Sequence, residues 1–200
     1  AFKMARERWP KAVLIYNDYN TLSWQINEGI ELIQTILKNG APVDAYGQQA
    51  HDCKGMSKND FESKMTRIHN ETGLPLLVSE YDIGEADDTK QKNDYANQIP
   101  FMWETPWVAG ITIWGYINGS TWVANTGLIE KDGRKRASMN WLEATASGAL
   151  LNILMHGRTE PETMTTHWRS DMNIATTLTV WGCCYDTARQ MLRVSMYMTR

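Results

Sequence analysis

Cysteine is scarce in this chain: three of 200 residues, at positions 53, 183 and 184. An odd number, with two of the three adjacent, builds no disulfide framework, and no spacing among them suits a metal ion. Excess charge of either sign is also missing. A net charge of −3 leaves no reason to expect a nucleic acid or an anionic membrane as partner. No apolar run approaches the roughly 20 residues that span a bilayer. The opening residues Ala1-Phe2-Lys3-Met4-Ala5-Arg6 lack both the apolar segment of a signal peptide and an initiator Met, and they read like the middle of a helix. The glycine patterns that cradle phosphates, G-x-G-x-x-G and G-x-x-x-x-G-K-[ST], do not occur.

The chain has 42% hydrophobic and 22% charged residues, and its length is enough for one domain with a real core. Phe is rare at three, whereas Trp reaches nine and Tyr eight. Both offer a flat apolar face with a polar edge, which suits sugar rings as well as protein cores.

Residues 1–9 read as the tail of a helix stopped by Pro10. Ala12-Val13-Leu14-Ile15-Tyr16 is an apolar strand running into Asn17-Asp18-Tyr19-Asn20. A helical pattern begins at Thr21, with Leu22, Ile26, Ile30, Ile33 and Leu37 on one face, and Gly40 closes it. A second unit starts at Val43 and passes through Gly47-Gln48-Gln49-Ala50-His51-Asp52. Its helix opens at Ser57, with Asp60 three residues on. It buries Phe61, Met65 and Ile68, and it ends at Gly73. The third unit begins with Pro75-Leu76-Leu77-Val78-Ser79-Glu80-Tyr81-Asp82, an apolar run of the kind found in strands buried on both faces. A helix follows from about Lys90 to Trp103, in which Pro100 should cause a kink or a break. The fourth strand is Val108 to Trp114. A long loop through Trp122 then leads to a last helix, about Arg136 to Ala146.

The four strands begin near residues 12, 43, 75 and 109, an interval that holds one strand, one helix and two loops. Such alternation means parallel strands joined by right-handed crossovers. A doubly wound sheet and half of a (β/α)8 barrel both satisfy it, and both place the site at the carboxyl ends of the strands. Without a phosphate signature, the barrel is the better reading. A full barrel takes about 250 residues, so four units are half of one, and the chain looks truncated at its start.

In a barrel, four successive strand ends contribute Asn17 and Tyr19, then Gln49 and His51, then Glu80 and Asp82, then Trp114 and Trp122. Each has a plain alternative: Glu80 solvated or capping a helix, His51 structural, Trp114 in the core, Asn17 and Gln49 tying loops. Together they supply a carboxylate, an imidazole within reach of it, amides for hydroxyls, and aromatic plates. Glycoside hydrolysis needs a carboxylate facing an oxocarbenium-like centre. It needs neither a metal nor a cofactor.

At these residues the chain resembles family 10 of the glycoside hydrolases. The segments Tyr16-Asn17-Asp18-Tyr19-Asn20, Gly47-Gln48-Gln49-Ala50-His51, Ser79-Glu80-Tyr81-Asp82-Ile83 and Gly110-Ile111-Thr112-Ile113-Trp114-Gly115 stand in that family's order and spacing. Asn125-Thr126-Gly127-Leu128-Ile129 and the helix with Trp141-Leu142 resemble its close. The resemblance covers residues 1–147 and implies an α/β fold, a (β/α)8 TIM barrel of which this chain carries about the last four βα units. It implies a retaining endo-1,4-β-xylanase acting on xylan or a related β-1,4-linked polysaccharide, secreted to meet an insoluble polymer. It further implies that Glu80 is the nucleophile, with His51 and Asp82 orienting it and tuning its ionisation. Asn17 and Tyr19 would bind on the leaving-group side and Gln49 at the cleavage point. Trp114 and Trp122 would wall the adjacent sugar. Retention needs a second carboxylate roughly 5 Å from the first. In the family this is a Glu after an Asn at the end of strand four, upstream of residue 1, and Glu7 and Glu28 lie on helices.

These residues are therefore expected not to cleave unactivated xylan without the N-terminal half of the barrel. Unpaired strand edges near residues 12–16 and 109–114 invite aggregation. A non-catalytic polysaccharide-binding remnant using Trp114 and Trp122, and a β-1,4-glucanase on the same barrel, are the alternatives. Residues 148–200 have a different texture. All ten Lys precede Leu150, while six of eleven Met follow it, and no helix or strand period is evident in 151–200. This tail is expected to be non-native sequence, as from an out-of-frame translation.

Overall fold

The structure, a computed structural model, describes residues 1–155, 185–186 and 191–192, with side chains described as far as residue 146. Apart from those pieces, the tail expected to be non-native lies outside the described residues. Two compact units interleave along the chain. One comprises Ala1–Asp82 with Gln98–Ile113, and the other Ile83–Asn97 with the residues from Trp114 onward.

The first unit holds a four-stranded parallel sheet in the order β1-β2-β3-β4. Its strands are β1 Ile15–Asp18, β2 Ala45–Gln48, β3 Leu76–Tyr81 and β4 Val108–Ile113. Helices α1 Phe2–Arg8, α2 Ile26–Lys38 and α3 Lys58–Thr72 belong to this unit, and α4 Asp88–Glu104 runs through both units. Sequential neighbours pair throughout, as right-handed strand–helix–strand connections produce.

α1 ends two residues before Pro10, whose ring disfavours helical geometry in the residue preceding it. β1 begins three residues later than the apolar run suggests. Residues 12–14 lie outside the paired register; the Leu14 carbonyl accepts from the Asp44 N–H at 2.8 Å, and side chains add further bonds. Asp44 accepts from the Leu14 N–H at 2.7 Å, and Arg6 donates to the Ala12 carbonyl at 2.7 Å while pairing with Asp44 at 2.5 Å. The ladder then includes Asn17 and Asp18, in register with Gly47 and Gln48.

α2 also starts later than its periodicity, at Ile26 rather than Thr21. Residues 21–25 form a turn because the Asp52 carboxylate takes the N–H groups of Leu22 and Ser23 at 3.2 and 2.7 Å, and donors so engaged need no helical start. Leu22, Ile30 and Ile33 are buried. α3 follows its sequence signals closely. Ser57 accepts from the Asp60 N–H at 3.2 Å, and Gly73, at φ 70°, closes the helix through its N–H on His69. Its stripe of Phe61, Met65 and Ile68 is fully buried.

Pro100 does not break α4, which continues to Glu104. The proline stands four residues before the helix end, and the turn beyond it is anchored by packing. Met102 is buried, and Phe101 meets Phe61 and Trp107 edge-on with centroids 6.2 and 5.8 Å apart. Behind β3, the Tyr81 hydroxyl donates to Gln98 Oε1 at 2.9 Å, and Gln98 Nε2 donates to the Cys53 carbonyl at 2.9 Å. The core of this unit centres on Phe61, Met65, Ile68, Leu76 and Val78, none of which is exposed.

The second unit contains the loop after β3, the first turns of α4, the loop after β4 and α5, Ala137–Met155. α5 runs beyond the expected end at Ala146, through the stretch 149–155, where Ala149, Leu150, Leu151, Leu154 and Met155 are good helix formers. Two short antiparallel strands, β5 Tyr185–Asp186 and β6 Met191–Leu192, complete the described elements.

Candidate active site

Three adjacent strands of the first unit bring most of the expected site residues to their carboxyl ends. β2 ends at Gln48, and Gln49-Ala50-His51 continue from it. Ala50 is buried with φ at 65°, a left-handed conformation that costs a non-glycine residue about 1–3 kcal/mol and persists only where its surroundings enforce it. β3 carries Ser79, Glu80 and Tyr81, and its register with β4 shifts between Val78 and Tyr81. The irregularity falls on Ser79 and Glu80. Such a bulge bends the strand and re-aims side chains.

His51 stands between two carboxylates. Its Nδ1 is 2.9 Å from Asp82 Oδ1 and its Nε2 is 3.3 Å from Glu80 Oε2. All three groups are shielded from solvent, with side chains 14% exposed for His51, 19% for Glu80 and 3% for Asp82. Burial pulls the His51 pKa down, but the hydrogen bonds and negative charges of Asp82 and Glu80 outweigh it, so the net shift is upward. In the imidazolium form both ring nitrogens donate, one to each carboxylate. The structure thus joins His51, Glu80 and Asp82 directly.

Asn17 is tied to the same place through Ser79, whose hydroxyl donates to Asn17 Oδ1 at 2.6 Å. Gln49 is half-buried; its backbone N–H donates to the Asp18 carbonyl at 2.9 Å, and its side chain makes no hydrogen bond among the described residues. Tyr19 is 57% exposed and, among the described residues, hydrogen-bonds only through its backbone N–H, to Asp18 Oδ1 at 2.9 Å. Beside it, the Tyr16 hydroxyl donates to Asp18 at 3.0 Å, and burial first, then Asp18, pushes its pKa up to about 12.

Trp114 and Trp122 belong to the second unit. Trp114 directly follows β4 and is half-buried, while Trp122 is 61% exposed in the loop that ends near Ile129. That loop is closed on itself by Asn118 N–H to the Ile129 carbonyl at 2.7 Å and Leu128 N–H to the Tyr116 carbonyl at 2.8 Å. Arg136, only 1% exposed, fastens it from below. It donates to the carbonyls of Asn125, Gly127 and Glu85 at 2.9, 3.1 and 2.6 Å and pairs with Asp88 at 2.7 Å. Gln91 reaches the Asn125 carbonyl at 3.0 Å, and Ser138 donates to Gln91 Oε1 at 2.6 Å.

Reasoning from sequence assigned no role to Ser79, Asp52, Arg136 or Gly47. Asp52 and Ser79 could have been noticed as neighbours of His51 and Glu80, and a glycine inside a strand marks close approach. Arg136 carries no local signal, since its partners lie up to 51 residues away. Among the described residues no group of three or more His, Cys, Asp or Glu side chains is disposed to hold a metal ion. What the arrangement offers is a shielded carboxylate clamped by a histidine, with amide groups beside it.

The sequence model of glycosyl hydrolase family 10 matches residues 1–144. Endo-1,4-beta-xylanase B of Cellvibrio japonicus is 41% identical over 141 residues, covering 70% of this chain and 23% of that protein. Endo-1,4-beta-xylanase B of Thermotoga neapolitana is 30% identical over 129 residues, covering 60% of this chain and 37% of that protein. Among solved structures, xylanase 10B from Thermotoga petrophila in complex with xylobiose superposes with a TM-score of 0.65 at 24% identity, over 74% of this chain and 50% of that one. The chain therefore spans between 23% and 50% of the length of these three proteins. The shared fold is a (β/α)8 TIM barrel, of which this chain carries about the last four βα units.

Proposed function

The chain belongs to glycosyl hydrolase family 10, and on that premise we propose that it carries the nucleophile-bearing half of a retaining endo-1,4-β-xylanase site. The observation that carries the reading is the Glu80–His51–Asp82 chain at the ends of neighbouring strands, with distances of 3.3 and 2.9 Å. The substrate class follows from relatives named as endo-1,4-β-xylanases.

In this reading a Glu80 oxygen attacks the anomeric carbon, and the glycosidic C–O bond breaks. Its electron pair leaves on the departing sugar oxygen, which takes a proton from the second carboxylic acid. The glycosyl ester on Glu80 is then opened by water, whose proton returns to that second group. His51 donates through Nε2 to one oxygen of Glu80 and keeps the carboxylate aimed, while Asp82 fixes the imidazole through Nδ1. Gln49 offers its amide to the sugar at the cleavage point, Asn17 and Tyr19 bind on the leaving-group side, and the family resemblance assigns Trp114 and Trp122 the aromatic walls. The second carboxylate comes from the family's strand four, in the N-terminal half of the barrel that closes the sheet. Secretion, which brings an enzyme to an insoluble polymer, is part of this proposal.

A fluoroxylobioside with a dinitrophenolate leaving group tests this directly. Dinitrophenolate departs without protonation, so the missing acid does not matter, and the fluorine slows hydrolysis of the ester. Mass spectrometry should find the sugar on the peptide containing Glu80 and none in Glu80→Ala, while unactivated xylan stays intact. A folded chain labelled elsewhere, or not at all, would refute the nucleophile assignment. Retention on xylan that survives Glu80→Ala but is lost when Trp114 and Trp122 are both replaced would favour the non-catalytic binding remnant.

A further inference from the structure

We infer that Ser79 is a positioning residue: it reaches across the middle strand to orient the Asn17 amide, so that Asn17 presents its Nδ2 hydrogens to an oxygen of the bound sugar. The sugar's identity rests on the function proposed above; the bridge itself does not.

Asn17 is on β1 and Ser79 on β3, with β2 between them. Two strand spacings are about 9–10 Å, too far for side chains this short unless nothing stands between. The intervening position is Gly47, which pairs with Asn17 on one side and Leu77 on the other. A Cβ built there would collide with Asn17 Oδ1 and lie 3.0 and 3.1 Å from its Cγ and Cβ. The missing side chain is what lets the two residues meet.

The Ser79 hydroxyl has one proton to give. It lies 2.6 Å from Asn17 Oδ1 and 3.3 Å from the Gln48 carbonyl, and the shorter contact takes the proton. With Oδ1 committed as acceptor, the amide is locked and Nδ2 becomes its outward group. Nδ2 has no partner among the described residues. An unfixed amide can turn over and offer an acceptor where a donor is wanted; a fixed one selects for an acceptor on the ligand. Ser79 also sits in the register shift between β3 and β4, directly before Glu80. Orientation of the amide and placement of the carboxylate thus share one backbone feature.

The test measures the first-order rate of labelling by the fluoroxylobioside at saturation, and then the binding constant of xylobiose for the labelled chain by calorimetry. In the labelled chain the ester-linked sugars leave only the leaving-group side, to which Asn17 is assigned, open to the added sugar. In Ser79→Ala the binding constant should weaken about tenfold, as for one lost hydrogen bond, with the saturating rate within about twofold of the parent. Ser79→Thr keeps the hydroxyl and should restore binding. Gly47→Ala, which displaces Asn17 by a different route, should reproduce the defect. A parallel readout without ligand is the side-chain amide pair of Asn17 in nitrogen-15 NMR, which should move in Ser79→Ala and return in Ser79→Thr. If Glu80 is labelled but Ser79→Ala binds like the parent, the positioning role is overturned and the enzymatic reading stands. If Glu80 is never labelled, the enzymatic reading falls. An Asn17 amide pair unchanged in Ser79→Ala then overturns the bridge as well, and a pair that moves upholds it.

Discussion

Replacing Arg136 by Met removes a buried cation while keeping most of its aliphatic stem, so the loss is chiefly polar. Arg136 is 1% exposed and binds Asp88, Asn125, Gly127 and Glu85 within 3.1 Å. Breaking a buried ion pair at one end typically costs about 3–5 kcal/mol. Two features reduce that figure here. Gln91 also reaches the carbonyls of Asn125 and Gly127, at 3.0 and 3.4 Å, so neither is orphaned. Asp88 has a side chain 35% exposed and keeps its pair with Arg134 at 3.2 Å. What remains is the charge-assisted bond to Asp88 and the short bond to Glu85, together about 2–4 kcal/mol. That is a large share of the roughly 5–15 kcal/mol holding an ordinary domain together. Urea denaturation gives the total, and amide hydrogen exchange at Asn125 to Leu128 shows whether the loss is local to the Trp122 loop. The substitution also acts on Asp88, whose pKa is held down chiefly by the Arg136 hydrogen bond. A lowered carboxyl pKa stabilises the fold above the ordinary Asp value, and that contribution disappears as pH falls through the folded value. Arg136→Met should therefore flatten the loss of stability below about pH 4. A change under about 1 kcal/mol, with exchange unaltered, would refute the view that Arg136 fastens this loop.

Three further outcomes are expected. Asp82→Asn removes one of the two carboxylates that raise His51 and leaves Glu80 alone against burial, so the imidazole pKa falls, as ring-proton NMR titration will show. Because the His51 pKa is raised on folding, its stabilising contribution is complete below the ordinary histidine value near 6.5 and declines as pH rises through the folded value; that decline should shrink in the variant. Ile33→Ala, at a fully buried position of α2, should cost about 2–5 kcal/mol in urea denaturation, and a loss under 1 kcal/mol would contradict its place in the core. Asp52→Ala frees the N–H groups of Leu22 and Ser23, so their exchange should accelerate and stability fall by about 1–2 kcal/mol; unchanged exchange would show that Asp52 does not hold the turn.

Features written in adjacent residues were legible. The Ser57 start and Gly73 end of α3 need only their own sequence, since capping and left-handed closure are local events. The apolar run ending in Ser79 and Glu80 announced a buried parallel strand with a carboxylate at its end. Misreadings occurred where distant residues intervened. β1 starts late where Arg6 claims Ala12 and Asp44 claims Leu14. α2 starts late because Asp52 claims Leu22 and Ser23. Around Pro100, the contacts of Phe101 and Met102 sustain a helix that propensity argues against.

Hydrophobic period, strand–helix alternation and the four motif segments determined the fold class and named Glu80, His51, Asp82, Asn17 and Gln49, because periodicity and motif spacing are properties of the chain itself. Only the tertiary structure decided that His51 bridges two carboxylates, that a register shift falls on Ser79 and Glu80, and that Gly47 leaves room for Ser79 to reach Asn17. Those facts depend on distances between residues 29 to 62 positions apart in the chain. Separations of that length are set when strands pair, and no local pattern encodes them.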